Sequence, residues 1–346
     1  MEPTTEPVTS TAARRAPAGM AALHQVEYGG PEVLSVAEVA RPEAGPGQVL
    51  VRVHAAGLDR GTVHLVSGTP YLVRLVEGLR RPKHQIPGLD LAGVVEVVGE
   101  GVTDLAPGDE VFGTARGALA ELVVADPAKL ARKPAGLSFA QAAAVPVSAQ
   151  TARCALRDEA DVQPGQRVLI LGASGGVGTY AVQLAKALGA HVTGVCSGAK
   201  ADLVRRLGAD EVLDYATSDP TDGSVRYDAV LDIGGNRRLR DLRRALTPTG
   251  TLVMVGVEGG GRWLGGLDRQ LRAVLWSPFL RQRLRMLVGP ERREGLEALA
   301  AHLEAGDVVP AIDSVVALNE VPAALTRLDA GAVRGKLVVS VGGQEG

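Results

Sequence analysis

The chain has 346 residues, 46% of them hydrophobic and 22% charged, with a formal net charge of -2. That length accommodates two sizeable cores of ordinary soluble composition. The near-neutral balance gives no support for a nucleic-acid or membrane partner, and no apolar stretch is long and uncharged enough to span a bilayer.

Met1 to about Gly19 is rich in Thr, Pro, Ala and Glu and lacks the apolar core of a secretory signal. It reads as a disordered tail over residues 1–19, with Met20 as an alternative start. Gln48–Ala55 alternates like a half-buried strand after the turn Gly45-Pro46-Gly47. Leu91–Val98, Glu110–Gly113 and Ala118–Val124 give further short strands, the pattern of a compact β-barrel or sandwich. Phe139–Leu156 is Ala-rich and helical in pattern, with a break near Pro146. The two cysteines, Cys154 and Cys196, fall in no metal-ligand spacing and suit buried thiols of a reducing cytosol, so a cytoplasmic location is expected.

From Gln166 strands alternate with helices. Arg167–Leu171, Val192–Val195, Glu211–Leu213, Ala229–Ile233 and Leu252–Val255 are rich in Val, Leu and Ile, as strands of a parallel sheet covered on both faces are. Thr179–Gly189 and Asp202–Leu207 read as intervening helices. Gly256–Gly266 is a glycine-dense loop. Leu267–Leu287 reads as an amphipathic helix with solvated arginines, a lid or subunit contact being the alternative. Arg292–Ala305 is a further amphipathic helix, and Val338 and Val339 lie in a last short strand.

The densest signal is Gly172-Ala173-Ser174-Gly175-Gly176-Val177-Gly178, set between a buried strand and a helix. Glycines let backbone approach a dinucleotide pyrophosphate, and the helix N-terminus offers it free N–H groups and partial positive charge. Ser174, Gly175, Gly176 and Val177 are therefore candidate cofactor-binding residues; a tight structural turn is the bland alternative. An NAD site usually carries Asp or Glu at the end of the second strand. Here that stretch reads Val195-Cys196-Ser197-Gly198-Ala199-Lys200, with no carboxylate before Asp202. Ser197 and Lys200 suit a 2′-phosphate, which favours NADPH, although Lys200 also fits a solvated lysine at a helix start. Gly234 and Gly256 follow the fourth and fifth strands, where the ligand edge of the sheet should be, and each is also an ordinary turn former. His54, His64 and His84 show no metal-site spacing, so no metal is expected.

Five stretches in this order resemble the medium-chain dehydrogenase/reductase superfamily, in its zinc-free quinone oxidoreductase-like branch. They are Tyr28–Leu34, Pro87-Gly88-Leu89-Asp90-Leu91-Ala92-Gly93, Pro107–Gly113, the glycine turn, and Gly335-Lys336-Leu337-Val338-Val339. The resemblance implies an α/β chain with a GroES-like β-barrel catalytic domain from residues 20–145 and 306–346. A doubly wound Rossmann domain, residues 146–305, would be inserted between them, with a ligand cleft at the junction. It places Thr151 on the nicotinamide side and Tyr215 near the adenine or 2′-phosphate. Zinc-dependent relatives carry Cys or His ligands where this chain reads Ala56–Asp59, Gly88–Asp90 and Pro146–Ala149, with neither residue type. The resemblance implies NADPH-dependent hydride transfer to a quinone or α,β-unsaturated carbonyl. Relatives carry Asn-x-x-Asp where this chain has Asp59-Arg60-Gly61-Thr62, so Asp59, His64 and Tyr71 stand as candidate proton donors or substrate orienters. Enoyl-thioester reduction and non-catalytic NADPH sensing are the alternatives. A homodimer is expected through a sheet edge near Met286-Leu287-Val288.

Overall fold

Strand pairing sorts the described residues into a two-stranded antiparallel ribbon, one mixed sheet and one wholly parallel sheet. The computed structural model describes residues 19–256, 260–287 and 292–342. The tail reading therefore lies outside the described residues except at Gly19, and Val288 of the expected sheet edge lies outside them too.

A two-stranded ribbon opens the described chain, β1 (Gly19–His24) against β2 (Ser35–Ala40). The long buried strand β3 (Val49–Leu58) then pairs antiparallel with β4 (Asp90–Val98), and β4 with β5 (Glu110–Thr114). Helices α1 (Arg60–Ser67) and α2 (Val73–Glu77) lie in the β3–β4 connection. β6 (Leu122–Ala125) returns to β3, and β7 (Leu130–Arg132) pairs with β5. The end of the chain completes this sheet: β14 (Ile312–Ala317) pairs with β15 (Lys336–Ser340), which pairs with β3, and α10 (Val321–Asp329) joins the two. The expected strand at Ala118–Val124 begins only at Leu122. Over Leu119–Glu121 the backbone instead bonds to Ala21 and Leu23, where the N-terminal ribbon crosses.

Between these two runs lies the second sheet. Ser138 caps α3 (Phe139–Ala143) in a reciprocal box with Gln141, and Pro146 starts α4 (Pro146–Arg153), which a π-turn extends to Glu159. Then follow β8 (Arg167–Leu171), α5 (Gly176–Ala187), β9 (His191–Cys196), α6 (Ala201–Arg206), β10 (Glu211–Asp214), β11 (Tyr227–Asp232), α7 (Leu239–Arg244) and β12 (Leu246–Met254). With β13 (Arg283–Met286), the strands pair in parallel in the order β10-β9-β8-β11-β12-β13. The strand order reverses between β8 and β11, strands being added on one side of β8 and then on the other, and ligands bind at the carboxyl ends of strands flanking such a switch.

Leu267–Leu287 is not one helix. α8 (Leu267–Trp276) stops at the Ser277-Pro278-Phe279 turn, and Arg283–Met286 forms β13, the outer strand beside β12. Pro278 has no N–H to continue a helix, and the alternation Arg-Leu-Arg-Met buries Leu284 and exposes Arg283 and Arg285. α9 (Arg293–Ala305) follows.

Candidate functional site

The glycine turn joins β8 to α5. Gly172 sits at φ 89° and the Gly175 N–H bonds the Gly172 carbonyl. No side chain caps the first turn of α5, so its N–H groups remain for an anion. A methyl group on Gly175 would meet only the Gly172 carbonyl, at 3.5 Å, whereas one on Gly178 would lie 2.1 Å from that oxygen. The open glycine leaves room for an approaching ligand, and the crowded one holds helix against strand. Ser174 is buried, and its carbonyl accepts from Gly335 of the C-terminal run at 2.8 Å. These residues fit a dinucleotide pyrophosphate.

Ser197 follows β9 and is half-buried. Lys200 donates to the carbonyls of Gly331 (2.6 Å) and Val333 (2.7 Å), so the C-terminal segment holds its ammonium. Burial, then the charge of Arg334, lowers the Lys200 pKa. Arg334 is a second cation here, brought in from the distant C-terminal run, which no local pattern could place. The Asp214 carboxylate comes against Gly198 from the neighbouring strand: a methyl on Gly198 would lie 2.6 Å from it. Tyr215 is exposed and lines an open recess with Asp219 and Arg237.

Gly234 and Gly256 lie at the carboxyl ends of β11 and β12. The Gly234 N–H bonds the Leu171 carbonyl, and the Gly256 N–H bonds that of Asp232. Two inward side chains of α8 support this edge. Gln270 donates to the Gly256 carbonyl at 3.0 Å, and Arg269 pairs with Asp232 at 2.7 Å and donates to the Arg237 carbonyl. Burial pushes the Asp232 carboxyl up, and Arg269 pulls it back.

Beneath the turn lies a charge pair that the sequence reading did not select. Lys336 donates to Asp90 Oδ2 at 2.9 Å, both side chains fully buried, while Asp90 Oδ1 accepts the Val147 N–H at 2.9 Å. Burial pushes the Asp90 carboxyl up to about 7 against the pull of Lys336, and Asp90 in turn raises Lys336 over the opposing effect of burial. The pair ties β4, β15 and the start of α4 together. Next to it, Tyr180 of α5 donates to the Ala144 carbonyl at 3.0 Å, satisfying a helix-end acceptor freed by the break before Pro146.

Thr151 lines a cavity of about 510 Å³ between α4 and α9, with Val147, Gln150, Cys154 and Leu287 among its walls. Burial, then Asp158, pushes the Cys154 thiol up to about 11, so it stays protonated at neutral pH. Of the three proton-donor candidates, Asp59 caps α1, accepting the Thr62 N–H at 2.9 Å and its hydroxyl at 3.2 Å. Its charge reaches both Asp90 and Lys336. His64 Nδ1 lies 2.8 Å from the Thr69 carbonyl. Tyr71 meets Trp263 edge-on at 5.3 Å, its ring lies beside Arg74 and Arg262, and its N–H bonds the Arg262 carbonyl. Tyr71 is thus tied to the loop after β12, and Asp59 to the buried pair. Among the described residues no three His, Cys, Asp or Glu side chains stand together so as to hold a metal ion.

Residues 45–135 match the alcohol dehydrogenase GroES-like domain family and residues 207–339 the zinc-binding dehydrogenase family. The chain is 35% identical over 336 residues to the mouse mitochondrial NAD(P)H oxidoreductase RTN4IP1, covering 86% of this chain and 82% of that protein. It is 35% identical over 250 residues to pig quinone oxidoreductase, covering 69% and 74% respectively. The solved structure of the quinone oxidoreductase from Coxiella burnetii superposes with a TM-score of 0.81 at 30% identity, over 93% of this chain and 99% of that one.

Proposed function

The chain belongs to the medium-chain dehydrogenase/reductase superfamily, in its quinone oxidoreductase-like branch, and from that premise we propose that it is a zinc-independent NADPH oxidoreductase reducing quinones or α,β-unsaturated carbonyls. That it is a nicotinamide-dependent oxidoreductase follows from its relatives. One observation carries the zinc-independent reading. Both oxygens of Asp90, the carboxylate in the Gly88–Asp90 stretch, are engaged, one by Lys336 and one by the Val147 N–H. An ammonium already balances the acidic charge there, and among the described residues no cluster of three donors remains for a cation.

When bound, NADPH supplies the hydride. The α5 N-terminus and the open backbone at Gly175 hold the pyrophosphate. Ser197, Lys200 and Arg334 attract the 2′-phosphate, with the Asp214 carboxylate opposing them. Thr151 orients the nicotinamide side, and the walls of its cavity exclude water from an acceptor whose carbon is electrophilic without metal help. Asp59, His64 or Tyr71, or water, delivers the balancing proton.

Two measurements test this reading. Lys200→Ala is expected to raise KM for NADPH about tenfold or more, the worth of a charge-assisted hydrogen bond, with far less effect on NADH; equal effects would exclude the 2′-phosphate role. NADPH consumption with quinones, enones and a CoA enoyl-thioester, before and after dialysis against a chelator, should show turnover of the first two classes unchanged by chelation. Thioester preference would assign enoyl-thioester reduction, and binding without turnover on any acceptor would make the protein a sensor.

A further inference from the structure

The Asp90–Lys336 pair stands where three segments meet around the dinucleotide turn. Asp90 begins β4, in register with Gly57 of β3. It packs there on bare backbone: a methyl on Gly57 would lie 2.8 Å from Asp90 Oδ2 and 2.5 Å from the Ala143 carbonyl. The two carboxylate oxygens serve two different segments. Oδ1 accepts the N–H of Val147, in the first turn of α4. Oδ2 accepts from the ammonium of Lys336, at the start of β15.

Lys336 leads from the pair to the glycine turn. A methyl on Gly176 would lie 3.1 Å from Lys336 Cδ and 3.1 Å from Ser148 Oγ of α4. The lysine stem and α4 therefore both abut the first residue of α5. One residue earlier, Gly335 donates to the Ser174 carbonyl at 2.8 Å and forms a parallel bridge with Gly175. The turn rests on Gly335 and Lys336, and α4 is held by the other oxygen of the same carboxylate. Thr151 follows Val147 by four residues, about one turn along α4.

A dinucleotide has a fixed covalent reach between its pyrophosphate and its nicotinamide. A site that grips both ends must keep their supports at the matching separation. Hydride transfer tolerates little error there, since a misplacement of about 1 Å can cost roughly a hundredfold in rate. Neither the turn nor α4 can fix that separation from its own local sequence. We propose that Asp90 and Lys336 are positioning residues, which set the pyrophosphate turn and the nicotinamide side of α4 at the separation NADPH requires. This role rests on NADPH being the cofactor and adds to it, because neither residue is assigned a contact with the cofactor. A pair that served only the fold could give way to apolar side chains at little cost. A pair that spaces two supports could not, because the directed bonds to Val147 and from Lys336 would be gone.

Two double variants separate spacing from stability. Asp90→Leu with Lys336→Met removes both links. Asp90→Asn with Lys336→Met removes the ammonium but keeps an oxygen for the Val147 N–H. Four quantities are read on each: the unfolding midpoint, the affinity for 2′-phospho-ADP-ribose (which lacks the nicotinamide), the fluorescence of bound NADPH, and kcat with a quinone at saturating NADPH. Both variants should bind the fragment within about threefold of the parent, because the turn itself is locally built. Their kcat should fall roughly a hundredfold, and the fluorescence of bound NADPH should move toward that of the free cofactor as the nicotinamide loses its fixed seat. Parent kcat and parent fluorescence in either folded variant overturn the proposal. If only Asp90→Asn with Lys336→Met keeps them, the Val147 bond alone spaces the site and the lysine has no such role. Failure of both variants to fold also overturns it, making the pair a requirement of the fold. A parent chain that binds neither NADPH nor the fragment overturns the cofactor reading and this role together. A parent that binds both but reduces no acceptor overturns the reductase reading alone, and the fluorescence of the variants then decides.

Discussion

Lys336→Met is expected to lower the unfolding free energy by about 3–5 kcal/mol at neutral pH, because it strands a carboxylate in a fully buried site. The side chains of Asp90 and Lys336 have almost no exposed surface, and among the described residues the carboxylate's other partner is the Val147 N–H. Adding Asp90→Leu to Lys336→Met should recover most of the loss, since apolar replacement of a buried pair is often close to neutral. Urea unfolding of the three chains checks both statements. The pH dependence has a definite sign. The folded Asp90 pKa lies above the unfolded value, at about 7, so protonation favours the native state. That contribution is present below about pH 4 and is lost as pH rises through the folded pKa. Without Lys336 the folded value rises further, so the deficit of Lys336→Met should be larger at pH 8 than at pH 5. Equal deficits at the two values would mean the lysine acts by packing alone.

Gly178→Ala and Gly175→Ala should separate the structural job of the glycine turn from its proposed phosphate-binding job. The methyl of Gly178→Ala would lie 2.1 Å from the Gly172 carbonyl and 2.7 Å from the Ala173 Cα, both backbone atoms that cannot step aside alone. The turn must open or the helix must shift, at a cost of about 1–3 kcal/mol or more, and cofactor binding should be lost with it. The methyl of Gly175→Ala meets nothing closer than 3.5 Å within the protein. It should leave the unfolding midpoint unchanged while filling the approach to the helix N-terminus and weakening dinucleotide binding at least about tenfold. Thermal unfolding alongside cofactor titration distinguishes them. A Gly175→Ala chain that binds NADPH at the parent affinity would move the pyrophosphate away from this turn.

The strand–turn–helix unit was readable because everything that makes it is local: an apolar run, glycines where backbone must turn, and a helical period that starts at once. The same held for the long strands at Val49 and Asp90. Legibility failed where the partner of a segment was distant. Leu119–Glu121 looks like the start of a strand, yet its backbone is taken by Ala21 and Leu23. Leu267–Leu287 has helical periodicity throughout, yet a proline turn divides it and its second part pairs with β12. The ring of Tyr71, a candidate proton donor or substrate orienter, packs on Trp263, nearly two hundred residues onward, a contact no local pattern shows.

The sequence by itself determined the two kinds of sheet and the strand–turn–helix unit at Gly172–Gly178, because each follows from period, spacing or residue type within a short window. Only the tertiary structure decided that Asp90 and Lys336, 246 residues apart, neutralise one another, and that α8 turns its polar side inward. Burial and charge pairing depend on which distant surfaces meet. Periodicity says that a helix has an apolar face, and only the packing of its neighbours says where that face points.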